Sequence, residues 1–82
     1  MKYKIIYRKK ALKFIQKQPK PQQLRIIEAI EKIPQGDIVR VETTDKYRLR
    51  VGDVRIIFKI NNDELIITVI NAGNRGQIYN RV

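Results

Sequence analysis

The sequence predicts an α+β domain in which two antiparallel helices pack on one face of a mostly antiparallel four-stranded sheet. The first observation is the stretch at 46–59. Its apolar and basic residues largely alternate on both sides of a Gly-Asp pair, as in a β-hairpin. The second is a pair of helical segments before it, separated by Pro-Lys-Pro. The third is a strand-like segment at each end of this arrangement, at 2–7 and 65–70. The predicted order is therefore β-α-α-β-β-β.

The first half of the chain predicts one strand and two helices. Residues 2–7 alternate between two sides, which is typical of a strand. From Arg8 the apolar spacing changes to three and four residues, which predicts a short basic helix that ends before Pro19. Pro21 suits the first turn of a second helix, and Pro34 ends it. The predicted apolar stripes are Ala11, Leu12 and Ile15, and then Leu24, Ile27 and Ile30 with Ile26 and Ile33 alongside.

The turn at Gly52-Asp53 sets the register of the predicted hairpin. A type II′ turn requires φ > 0 at its first central position, which glycine adopts without strain. One side of the hairpin is then apolar, and the other pairs Arg50 with Arg55. The apolar pairs are Val51–Val54, Leu49–Ile56 and Tyr47–Phe58, and the other two pairs are Arg48–Ile57 and Lys46–Lys59. Like charges in directly opposed positions cost roughly 0.2–1 kcal/mol per pair. The basic side therefore favours an anionic partner over a merely solvated, aggregation-resistant surface.

The remaining segments complete the predicted sheet. Residues 38–45 are irregular and could form an edge segment or anchor a loop. After a turn at 61–64, the apolar residues 65–70 predict a central third strand of the meander, with Leu65, Ile67 and Val69 on the apolar side. Because the helices cover that side, the arginine side of the sheet is expected to be open.

Composition limits the possible functions. The 82 residues are sufficient for one domain, and 18 basic against 8 acidic residues give a net charge of +10. Such a charge indicates a polyanionic binding partner, most often nucleic acid; a membrane surface is the alternative partner. The absence of Cys and His makes a metal site or thiol chemistry unexpected, and no cofactor is predicted. No apolar run approaches the ~20 residues of a membrane span, and no secretory signal is recognisable, so we expect a cytoplasmic protein.

The basic side carries residue types that suit RNA chemistry. Arginine binds phosphate through a planar fork of donors, and an aromatic ring can stack on a base. Five side chains could converge at one end of this side: Arg48, Arg50, Arg55, Arg75 and Tyr79. Cleavage by attack of the 2′-OH on its own phosphate also needs a base and an acid. Tyr79, Lys46 and Lys59 are the plausible proton acceptors, because neighbouring cations lower the pKa of such groups.

Three motifs resemble those of the RelE/ParE superfamily of type II toxins, and the resemblance spans nearly the whole chain. They are KKALKFIQK, YRLRVGDVRIIF and GNRGQIY. The resemblance implies a microbial-ribonuclease-like fold and a single RelE-like toxin domain over residues 1–82. It also implies an acidic RelB-like antitoxin, the ribosome and mRNA as partners. RelE-type members are metal-independent endoribonucleases that cut mRNA in the ribosomal A site and so inhibit translation.

The resemblance also implies roles for individual residues. Arg48, Arg50 and Arg55 would bind and polarise the phosphate. Arg75 would stabilise the transition state or protonate the leaving oxygen, and Tyr79 would stack on the base. We place Lys46, Lys59 and Arg81 among the RNA-binding residues.

This chain departs from the family pattern at two positions. Several RelE-type toxins have lysine where Arg48 and Arg50 stand, and lysine is the favoured base, so here the identity of the base stays open. Two alternatives to the nuclease remain. They are a ParE-like toxin that poisons DNA gyrase and a non-catalytic RNA-binding module. Arg75 and Tyr79 favour the RelE-like branch.

Overall fold

A computed structural model describes residues 3–74 and contains two helices and one five-stranded mixed sheet. The elements are β1 (Lys4–Tyr7), α1 (Lys9–Gln16), α2 (Lys20–Glu31), β2 (Ile38–Arg40), β3 (Tyr47–Val51), β4 (Val54–Asn61) and β5 (Ile66–Asn74). The strand order is β1-β5-β4-β3-β2, in which β1 and β5 are parallel and the other pairs are antiparallel. The predicted fold class is confirmed, with β4 as the central strand.

The hairpin has the predicted turn and register. Gly52 has φ of 60°, and Asp53 is not among the residues with positive φ, as a type II′ turn requires. Val51 pairs with Val54 and Tyr47 with Phe58, and the rings of Tyr47 and Phe58 stack at a centroid distance of 5.7 Å. Arg50 is directly opposite Arg55. The turn residues alone were therefore sufficient to determine which side chains share a face.

The sheet has one strand more than predicted. Residues 38–40 form β2, which pairs with β3 and places Ile38 opposite Leu49. This strand has only three residues, and its pairing with β3 depends on a non-local contact that periodicity cannot reveal. β3 consequently lies between β2 and β4, and β2 is an edge strand.

The core lies between the helices and one face of the sheet. α1 and α2 bury Ala11, Ile15, Ile26 and Ile30 against β3, β4 and β5. Leu24 is 55% exposed, so its predicted place in the core is wrong. At 3.6 residues per turn it lies about 200° around the helix from Ile26. Neither helix in residues 3–74 has the length and apolar character needed to cross a membrane.

A register shift in β5 changes which side chains face the helices. Ile57 pairs with Asn71 and Phe58 pairs with Val69, so Ile70 is the extra residue of a bulge. Strict alternation from Val69 would direct Asn71 into the core. The bulge instead directs Ala72 into the core, and Asn71 lies opposite Ile57 on the arginine side.

Tyr7 gives the folded state a dependence on alkaline pH. Burial, and secondly the negative charge of Glu31, raises the pKa of the Tyr7 hydroxyl above its ordinary value of 10.0. The folded state therefore retains the phenol proton more strongly than the unfolded chain does. This contribution is fully present below pH 10.0 and is lost as the pH rises through the higher folded-state pKa. Thermal unfolding of Tyr7→Phe should show a smaller loss of stability above pH 10.0 than the parent protein. An identical alkaline decline in both proteins would contradict this assignment.

Candidate nucleic-acid interface

The side of β3 and β4 that faces away from the helices carries three arginines, which we call the cationic face. Arg48, Arg50 and Arg55 share it, because Arg50 is paired with Arg55 and Arg48 is two residues away along β3. The core residues Leu49, Ile56 and Phe58 point to the opposite side. The structure thus brings together three of the five residues predicted to be catalytic. Arg75, Tyr79 and Arg81 lie outside the described residues.

Arg55 is a buried cation at the centre of this face. Its relative exposure is 6%, and its Nη1 donates a long hydrogen bond of 3.4 Å to the carbonyl oxygen of Gly52. Its Nε has no hydrogen-bond partner, and no carboxylate within residues 3–74 forms an ion pair with it. On its other side Arg55 is paired with Gly73, which contributes no side chain.

This environment leaves the Arg55 guanidinium in need of an anion. Arginine side chains stay protonated in proteins, so burial cannot be relieved by loss of the charge. Desolvation of an unpaired ion costs several kcal/mol after relaxation of the surroundings. Because the described part of the chain supplies no counter-ion, Arg55 is suited to bind an anion from outside it.

The centre of the cationic face is less open than the sequence predicts. Ile57 is only 2% exposed although it does not belong to the core cluster between the helices and the sheet. Its neighbours on this face are Arg48 on β3 and Asn71 on β5. β2 pairs only with residues 47–49 of β3, so Arg50 has no cross-strand partner on that side, whereas Ile57 has a partner on each side; this accounts for its lower exposure.

Arg50 lies at the edge of the cationic face and is paired with a carboxylate. Its Nε is 2.7 Å from Oδ2 of Asp37, and its backbone N–H donates to the carbonyl oxygen of Asp37 at 3.0 Å. The two side chains are 59% and 48% exposed. Such an exposed ion pair contributes about 0–1 kcal/mol to stability. Its main effect is to fix the direction of the guanidinium.

The two lysines predicted to bind RNA lie at the other end of the hairpin. Lys59 is four residues from Arg55 along β4, a distance of roughly 13 Å at about 3.3 Å per residue. Its Nζ is 3.5 Å from Oδ2 of Asp45, and both residues line a surface cleft with Asn62 and Asp63. Lys46 precedes β3. Its backbone carbonyl accepts a hydrogen bond from the N–H of Val41, and its own N–H donates one to the hydroxyl of Thr44. The structure therefore does not bring these lysines to Arg55.

Sequence patterns did not identify three residues near the arginines. Asp37 contacts Arg50 across the sheet edge, and Asn71 and Gly73 reach the cationic face only through the bulge in β5. An asparagine that follows an apolar strand at a core-facing position was the available signal for that bulge. Within residues 3–74 no cluster of three or more His, Cys, Asp or Glu side chains could hold a metal ion.

The fold and the arginines define a small basic α+β domain with three arginines on the sheet face away from the helices. No family model matches the chain. The chain is similar to RelE in the crystal structure of the archaeal RelE-RelB complex from Pyrococcus horikoshii OT3. The two share 30% identity over 94% of this chain and 99% of that one, with a TM-score of 0.78. The chain belongs to the RelE-like branch of the RelE/ParE superfamily.

Two further comparisons agree with this membership. A protein of Escherichia coli whose name describes it as a RelE-like toxin is 28% identical over 98% of this chain and 93% of its own length. The RelB-RelE antitoxin-toxin complex from Methanococcus jannaschii contains a chain that is 25% identical. That match covers 92% of this chain and 95% of that one, with a TM-score of 0.72.

Proposed function

We propose that this protein is the toxin of a type II toxin-antitoxin system and a ribosome-dependent endoribonuclease that cuts mRNA in the A site. The observation that carries this proposal is Arg55, a buried guanidinium whose Nε has no partner and which has no carboxylate counter-ion in residues 3–74. The phosphate of an RNA strand would supply the missing anion. The relatives named above are RelE toxins and RelE-like proteins, which supports the toxin class.

The proposed reaction is a transfer within the RNA strand. The 2′-oxygen attacks the adjacent phosphorus and loses its proton to a base, while the bond from phosphorus to the 5′-oxygen breaks and that oxygen takes up a proton. The products are a 2′,3′-cyclic phosphate and a 5′-hydroxyl. Negative charge accumulates on the phosphate oxygens in the transition state, where fixed cations in a water-poor site stabilise it most effectively.

The described arginines suit the electrostatic part of this reaction. Arg55 would bind the reacting phosphate, because its burial strengthens its interaction with an anion. Arg48, on the neighbouring strand, would bind the same phosphate group from the side of β3. These arginines cannot serve as the base, because guanidinium groups do not deprotonate in proteins.

The remaining roles rest on residues outside the described range. Arg75 would stabilise the transition state or protonate the leaving oxygen, and Tyr79 would stack on or orient the base at the cut. The general base would be Tyr79 or a group supplied by the ribosome. Lys46 and Lys59 lie too far along the hairpin from Arg55 to serve that phosphate directly and would contact RNA further away. No metal or cofactor enters this proposal.

The proposed partners are the ribosome, mRNA and an acidic antitoxin resembling RelB. RelE is bound to RelB in the complexes from Pyrococcus horikoshii and Methanococcus jannaschii, which supports an antitoxin for this chain. The net charge of +10 would attract an acidic polypeptide and RNA alike.

The proposal is tested by expressing the toxin under tight control and following cell growth and translation. Growth arrest with rapid loss of protein synthesis, reversed by co-expression of an acidic antitoxin encoded beside the gene, is expected. Arrest with intact translation and inhibited gyrase supercoiling would contradict the nuclease and favour the gyrase-poisoning alternative.

A further inference from the structure

A second cationic site lies beside the cationic face, in a cleft between α2 and the edge of β3. The cleft has a volume of about 580 Å³, which falls in the range of small-ligand sites. Three basic residues line it, together with the acidic residues Glu28 and Asp37 and apolar residues that include Leu49. The basic residues are Arg25, Lys32 and Arg50.

Arg25 extends from α2 towards the hairpin turn. Its Nη2 is 4.0 Å from the position that a Cβ of Gly52 would occupy. Arg25 is exposed and forms no ion pair within residues 3–74, even though Glu28 stands three residues further along the same helix. Its donors are therefore available to a ligand in the cleft.

Arg50 borders the cleft at the edge of β3, where its side chain is held beside Asp37, another residue of the lining. The contact from Nε to Asp37 occupies one of its five N–H donors and leaves the two terminal amino groups for a ligand. The backbone hydrogen bond from Arg50 to Asp37 holds the two residues side by side. Asp37 is thus placed to orient the guanidinium group of Arg50.

The cleft and the cationic face meet at Gly52. Arg55 reaches the carbonyl oxygen of Gly52 from the cationic face, and Arg25 approaches the same residue from the cleft. A single RNA strand bound at Arg55 would therefore pass the hairpin turn on its way into the cleft. A side chain at position 52 would narrow this path.

We propose that the cleft is a phosphate-binding subsite for a nucleotide next to the one that is cut. Arg25 and Arg50 bind this neighbouring phosphate, and Asp37 is a positioning residue for Arg50. The inference rests on the proposed function. It assigns Arg50 to the adjacent phosphate instead of the reacting phosphate.

The test is equilibrium binding of a single-stranded hexanucleotide with 2′-O-methyl groups, which cannot be cut, measured over a range of salt concentrations. Each lost phosphate contact reduces the slope of log affinity against log salt by about 0.7 for single strands. Arg25→Gln should show this reduction and bind several-fold more weakly. Lys20→Gln is the matched control, because it removes the same charge from the same helix at a position outside the cleft. Glutamine, lysine and arginine have similar helix propensities.

The role of Asp37 is tested by comparing two variants with each other. Asp37→Asn and Asp37→Ala remove the same negative charge, but only asparagine keeps an oxygen that can accept from Nε of Arg50. Hexanucleotide binding should be a few-fold weaker in the alanine variant than in the asparagine variant. Equal affinities in these two variants would overturn the positioning role.

Equal salt slopes for Arg25→Gln and Lys20→Gln would overturn the subsite. So would an effect of Arg25→Gln that is confined to binding of an acidic antitoxin. The measurement needs neither ribosome nor cleavage. Failure of the proposed nuclease would appear instead as intact message on ribosomes that have bound the parent protein.

Discussion

An Arg55→Met variant is expected to be at least as stable as the parent protein and to cleave mRNA about 10²–10³-fold more slowly. The loss is of the size seen when one preorganised donor to a developing oxyanion is removed. Arg55 is buried with Nε unpartnered, so its charge is not needed for folding. Replacement of buried ions by apolar side chains of similar volume is often neutral or stabilising.

Two measurements on the same preparations test this expectation. Urea unfolding gives the free energy of unfolding, and primer extension on programmed ribosomes gives the cleavage rate. Arg40→Met is the matched control, because Arg40 is an exposed arginine that pairs with Tyr47 and therefore faces away from the cationic face. A near-parental cleavage rate in Arg55→Met, or an equal loss of cleavage rate in Arg40→Met, would contradict the proposal that Arg55 binds the reacting phosphate.

Phe58→Ala is expected to destabilise the protein by about 3–5 kcal/mol, the usual cost of removing a fully buried aromatic side chain. Phe58 is 0% exposed and lies on the central strand, where it stacks on Tyr47. Small domains have only about 5–15 kcal/mol of stability in total. The variant should therefore be close to its unfolding midpoint at growth temperature.

Denaturant unfolding monitored by circular dichroism measures this effect. Phe14→Ala serves as the comparison, because Phe14 is only partly buried and packs at the margin of the core. A smaller loss is expected there. A free energy of unfolding within about 1 kcal/mol of the parent value, the size of an ordinary substitution effect, would show that the core is not centred on β4.

The hairpin could be predicted from the sequence because its information is local. A glycine followed by aspartate determined the turn, and alternation on both sides then fixed every pair from Val51–Val54 to Tyr47–Phe58. The same alternation placed Arg48, Arg50 and Arg55 on one face. That part of the site required no knowledge of distant contacts.

The remaining features depend on contacts between segments far apart in the chain. β2 exists only because residues 38–40 meet β3, and the Asp37–Arg50 pair follows from that meeting. The bulge at Ile70 is set by the pairing with β4, and no periodic pattern contains it. The burial of Arg55 could not be foreseen either, because charged residues on a hairpin are usually solvated.

The most direct test of the proposed activity is toeprinting of one translating message with purified parent protein and with Arg55→Met. The parent protein should truncate the message at the codon in the A site, and the variant should leave it intact at the same ribosome occupancy. Message that stays uncut with folded, ribosome-bound parent protein, or that is cut equally by both proteins, would contradict cleavage by the buried arginine of the sheet.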